Sequence, residues 1–142
     1  MASRSEEVLT ALFIVLSRLR ATVKRNEGLI TAIDGIDSLG LIVLQDGEPG
    51  QPEYTLSPML WHYEHAAEVE IFVQGENLEC RFDDLKIAIG AAIKADRTLG
   101  GAVDWCEPMA AKHEPLPELG AAPIKAATII VMLHYAASDP LT

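Results

Sequence analysis

Hydrophobic positions recur with two different periods along this chain, and the changes of period mark its elements. Val8, Leu12, Val15, Leu19 and Val23 fall at helical spacing, and Ser3 followed by Glu6 forms a capping box ahead of them. The pattern predicts a first helix from about Arg4 to Lys24. Arg18, Arg20, Lys24 and Arg25 crowd its carboxyl end, where cations suit the helix dipole, so a solvated helix end explains them better than a phosphate site. Gly28 to Ser38 is irregular and rich in Gly and Asp, and the apolar run Leu41 to Leu44 begins a strand. That strand is expected to stop before Asp46 to Pro52, because two prolines and two glycines there cannot hold a ladder. A mobile loop is expected over about 46–58.

From Leu60 to Gln74 the period drops to two. Trp61, Tyr63, Ala67, Val69, Ile71 and Val73 share one face, and His62, Glu64, Glu68 and Glu70 share the other, which makes one face core and the other wet. Helical spacing then returns. Asn77 is placed as the N-cap, Leu78, Phe82, Leu85, Ile89 and Ile93 form an apolar stripe, Ala88 and Ala92 allow close approach to a sheet, and Gly100 and Gly101 end the element. Two more strands are expected, about Val103 to Lys112 and Pro123 to Ala136, joined by EPLPELGAAP. Sequential strands without helical crossovers favour antiparallel pairing. The expected fold is α+β: an antiparallel four-stranded sheet with two long helices packed on one face, in one domain spanning residues 1–142.

Composition supports one folded domain and narrows its partners. A chain of 142 residues buries roughly two-thirds of its unfolded surface, and an apolar fraction of 49% without low-complexity runs argues against disorder. The net charge of -10 makes it a poor candidate for gripping DNA, although DNA could slide past it. Val8 to Leu19 is too short and too interrupted, by Ser17 and Arg18, for a membrane span, and it lacks a signal peptide's basic start, so no membrane role is expected. Cys80 and Cys106 show no metal or redox spacing and read as reduced thiols, small buried hydrophobes in a cytoplasmic protein.

The search for chemistry assembles no site. His62 and His65 on a strand point to opposite faces and cannot chelate one ion, so neither a metal nor another cofactor is expected. Cys106 with His113 or His134 as base would be the ingredients of a small acyl- or thiol-transfer enzyme, but no nucleophile signature surrounds it. No glycine pattern cradles phosphate. Asp83 and Asp84 beside Arg81 suit the first turns of a helix and read as a solvated face.

Three pieces of the chain carry a resemblance: the ADRTLGG turn (Ala95 to Gly101), the VDW strand start (Val103 to Trp105), and the terminal strand from Ile124 to Tyr135. In their succession the chain resembles the tail-terminator proteins of long-tailed phages, prophages and gene transfer agents. The resemblance implies a non-enzymatic virion protein, made in the bacterial host cytoplasm and placed at the head-proximal end of the tail. There it would form a homo-hexameric ring that caps the tail tube and joins it to the neck or head-tail connector. It implies sheets lining a channel, helices outside, and DNA passing through without specific binding. Glu64, Glu68 and Glu70 would then face the lumen. The loop bearing Asp46, Gly47, Glu48, Gln51, Glu53 and Tyr54 would dock on a neighbouring ring. A neck or head-completion protein is the alternative within the same particle.

Overall fold

The computed structural model describes residues 2–28, 36, 40–114 and 123–142. Gly28 to Ser38, apart from Gly28 and Ile36, and EPLPELGAAP, apart from its two end residues, lie outside them. Among these residues two helices, α1 (Arg4–Ser17) and α2 (Leu78–Ala95), accompany β1 (Thr22–Arg25), β2 (Leu41–Glu48), β3 (Glu53–Thr55), β4 (Leu60–Gln74), β5 (Trp105–Pro108), β6 (Lys112–Glu114) and β7 (Ile124–Ala137).

The class is α+β, but the sheet is mixed and has seven strands among the described residues, not four antiparallel ones. Its order is β1-β2-β4-β7-β5, with β3 also on β4 and β6 also on β7. The long antiparallel pair of β4 and β7 forms the middle, in register from Trp61 opposite Ala137 to Gln74 opposite Ile124. Beyond it, β1 runs parallel to β2 from Thr22 opposite Leu41 to Arg25 opposite Leu44. The expected strand from Val103 to Lys112 is broken into β5 and β6, because the chain leaves the ladder between Pro108 and Lys112.

The first helix is shorter than its apolar stripe suggests. It ends at Ser17, whose hydroxyl donates to the Phe13 carbonyl oxygen, and β-branched Thr22 and Val23 enter a strand instead. Ser3 does cap the helix, accepting from the Glu6 amide at 3.3 Å. The Glu6 carboxylate does not complete the box. It takes a two-pronged grip from Arg25 at 2.7 and 2.8 Å, which holds the carboxyl below its usual range. Arg25 is thus no helix-end cation: its Nε also reaches Asp46 Oδ1 at 2.9 Å, tying α1, β1 and β2 together.

Both helices pack on one face of the sheet. Val8, Leu12 and Leu16 of α1 and Phe82, Ile89 and Ile93 of α2 close over Ile42, Leu44, Val69, Ile71, Val131 and Leu133. Each such aliphatic side chain removed from water contributes about 1.5–3 kcal/mol. Asn77 stands at the N-cap of α2 in the left-handed region, φ 56°, and its side chain makes no capping bond. The helix stops at Ala95, ahead of the glycines, and Leu99, Gly100 and Gly101 with positive φ carry the chain round to β5. On the opposite face, among the described residues, Leu41, Val43, Phe72 and Ala126 are buried together, with Ile36 packed on them.

The strand β2 does not end before Asp46. It continues to Glu48 through a bulge between Gln45 and Glu48. Gly47 makes the bulge possible: its φ is +67°, and a Cβ there would fall on the Ala66 carbonyl oxygen and 2.9 Å from its carbon. The Asp46 carbonyl, turned out of the ladder, accepts from His65 Nε2 at 2.6 Å. Buried His65 meets the Tyr135 hydroxyl through Nδ1 at 2.8 Å, so both ring nitrogens are satisfied.

Candidate functional site

The sheet face opposite the two described helices takes its acidic residues mainly from β4. Alternation sends Tyr63, His65, Ala67, Val69 and Ile71 under the helices, and His62, Glu64, Glu68 and Glu70 to the other side. Glu64 and Glu68 are exposed, while Glu70 is half-buried. The three residues expected on this face are therefore together on it. They sit opposite His134, Ile130 and Thr128 of β7 respectively.

A groove of about 530 Å³ runs beside them, with Phe72, Ala126 and Ile130 as apolar floor and Glu68, Glu70 and Glu114 around it. Two of these carboxylates are held in place. Gln45 Nε2 donates to Glu70 Oε1 at 2.8 Å, and the Thr128 hydroxyl donates to Glu114 Oε1 at 3.1 Å. Burial, reinforced by the charges of Glu68 and Glu114 and opposed by the Gln45 hydrogen bond, pushes the Glu70 carboxyl above its usual range. Glu114 is the member that sequence reading missed, since a three-residue strand leaves no period to detect.

The residues expected in the docking loop divide into two groups. Asp46 and Gly47 sit in the bulge, where the Asp46 side chain is engaged by Arg25 and its carbonyl by His65. Glu48, Gln51, Glu53 and Tyr54 are exposed on a hairpin in which β3 pairs with the start of β4. Gln51 and Glu53 share a shallow groove of about 240 Å³ with His62, Glu64, Asp104 and His134, so the hairpin borders the acidic face. Its turn also exposes Tyr54, Leu56 and Met59 by 59%, 71% and 50%. Leu56 and Met59 went unremarked in the sequence because isolated apolar residues between turn formers carry no pattern.

Cys106 is fully buried on the helix-covered side, and desolvation pushes its thiol up to about 11 despite the nearby Arg97 charge. His134 projects from the opposite face of β7. His113 pairs with Ala127 whereas Cys106 pairs with Leu133, a separation of roughly 20 Å along the strands, and it stacks on Phe82. Neither histidine can serve this thiol as base. The ADRTLGG turn works as a latch on β5: Cys106 N donates to the Arg97 carbonyl at 2.8 Å, Arg97 Nη1 returns a bond to the Cys106 carbonyl at 3.2 Å, and the guanidinium lies 5.3 Å from the Trp105 ring centre.

Cys80, expected to be buried, is exposed. It lies two residues from Leu78, on the opposite side of α2 from the stripe. Iodoacetamide at neutral pH should therefore modify the native chain once, at Cys80, and reach Cys106 only on unfolding. Peptide mapping that finds Cys106 alkylated in the folded protein would restore it as a candidate nucleophile.

His62 is exposed and bonds Thr55 Oγ1, whereas His65 is buried on the other face, so the two are separated as strand geometry requires. Among the described residues no three of His, Cys, Asp and Glu gather as a metal site, and no helix is long and apolar enough to cross a membrane. No protein-family model matches the chain, and no curated protein matches it.

Proposed function

We propose that this chain is a phage or prophage tail terminator: a structural, non-catalytic virion protein of the tail's head-proximal end, assembling as a hexameric ring on the tail tube and joining it to the neck. One observation carries the reading most. Among the described residues both helices lie on one face of the sheet, and the other face presents exposed Glu64 and Glu68 and half-buried Glu70 from its central strand. Six such faces around a channel would give it a wall of carboxylates that repels phosphate, so DNA would pass without sticking. The exposed hairpin beside that face, with Glu48, Gln51, Glu53 and Tyr54, would meet the adjoining ring of tube or neck. The buried, proton-retaining thiol of Cys106 weighs against the transfer-enzyme alternative.

The test uses the purified full-length chain. Electron microscopy should show rings with an open centre, and rings added to tail tubes should cap one end. A chain that binds a head-tail connector but not tubes would be a neck or head-completion protein instead. One that stays monomeric and touches neither would end the proposal.

A further inference from the structure

Copies that each carry a net charge of -10 repel one another, so any joint between them must set local cations against carboxylates. The cations are on one edge of the sheet. Arg18 and Arg20 stand exposed in the turn between α1 and β1, Lys24 follows on β1, and none of the three forms an ion pair among the described residues. The carboxylates run from the middle of the sheet, Glu68 and Glu70 on β4, to its other side, Glu114 on β6, and Lys112 is the one cation among the described residues that line their groove.

The register puts the two edges at the same height. Thr22 pairs with Leu41, Leu41 with Phe72, Phe72 with Ala126, and Ala126 with Glu114. One row further, Lys24, Val43, Glu70, Thr128 and Lys112 line up in the same way. Four strand spacings, about 19 Å, separate β1 from β6, so the basic turn and Glu114 lie on opposite flanks of one sheet at one level, with Glu68 and Glu70 on β4 between them. Two different patches that match each other, rather than one that matches itself, make a head-to-tail contact, the kind that closes into rings.

Resting on the ring reading above, we infer that the α1–β1 turn of one copy docks in the acidic groove of the next, with Arg18 and Arg20 against Glu70 and Glu114. The groove suits arginine in particular: half-buried Ile130 can cover part of the aliphatic stem while the guanidinium reaches the carboxylate rim. Gln45 and Thr128 already orient the two carboxylates, so little side-chain freedom is lost on contact. Burial and like charge raise the Glu70 pKa in the lone subunit, and an arriving cation would relieve that repulsion. Glu64 and the exposed side of Glu68 are left to the channel.

Charge reversal tests the joint. The full-length wild type, R18E/R20E and E70K/E114K are each weighed by native mass spectrometry, with E114K alone included because Glu114 is exposed and its replacement leaves the Gln45 contact intact. Circular dichroism and melting confirm that each is folded. Each reversed protein alone should need at least about tenfold more protein to form rings than wild type. Mixed in equal amounts, R18E/R20E and E70K/E114K should recover rings in which the two alternate, since every basic patch then faces an acidic one. Wild-type rings that all reversed variants form equally well would overturn this joint and leave the ring reading standing. A wild type that never assembles would overturn both.

Discussion

Replacing Gly47 by alanine should cost about 3 kcal/mol or more of stability, and the same change at Gly50 about 1 kcal/mol. The two glycines have nearly the same backbone, φ +67° and φ +72°, so the left-handed strain imposed on an L-residue is common to both. Their surroundings differ. A Cβ at Gly50 meets nothing nearer than the Glu64 carbonyl at 3.7 Å, while at Gly47 it collides with the backbone of Ala66 and Ala67. Backbone cannot swing aside as a side chain does, so the bulge must open. The Asp46 carbonyl then loses His65, and Arg25 loses the carboxylate that ties β1 and α1 to β2. Urea unfolding of the two variants beside wild type measures both changes. Equal midpoints would show that the bulge does not hold this part of the sheet.

What the sequence revealed depended on how far apart the interacting residues lie. The strand β4 was legible to its ends because its residues alternate from Trp61 to Ile71, and the placement of Glu64, Glu68 and Glu70 opposite the core followed from that alone. The apolar stripe of α2 was equally plain. Leu19 and Val23 misled because they continue the helical spacing past Ser17, although the pairing that claims Thr22–Arg25 is with Leu41–Leu44, across a connection no local window spans. Gly47 reads as a strand breaker, yet here it is what lets β2 continue, since only the presence of Ala66 opposite decides between a stop and a bulge. The same distance dependence hid the groove. Glu114 joins Glu68 and Glu70 only through β7, which lies between them in the sheet.

The second large effect expected concerns DNA transit. Glu64 and Glu68 are exposed and make no ion pair among the described residues, so lysine at both positions should leave the subunit fold intact. Glu70 is left unchanged, because its bond to Gln45 and its place in the inferred joint would confound the result. In a six-fold ring the pair of substitutions puts twelve ammonium groups where carboxylates stood. Passing phosphates would exchange counterions for lysines and be held, a contact whose strength falls steeply as salt rises. Particles carrying Glu64→Lys and Glu68→Lys should therefore eject DNA at least about tenfold more slowly than wild type at low salt, and regain most of the rate near 0.5 M, where screening shortens to roughly 4 Å. Glutamine at both positions removes the repulsion without adding attraction and should change the rate little. Salt-independent slowing by the lysines would point to blockage or misassembly. Wild-type ejection at low salt would mean that Glu64 and Glu68 do not face the DNA.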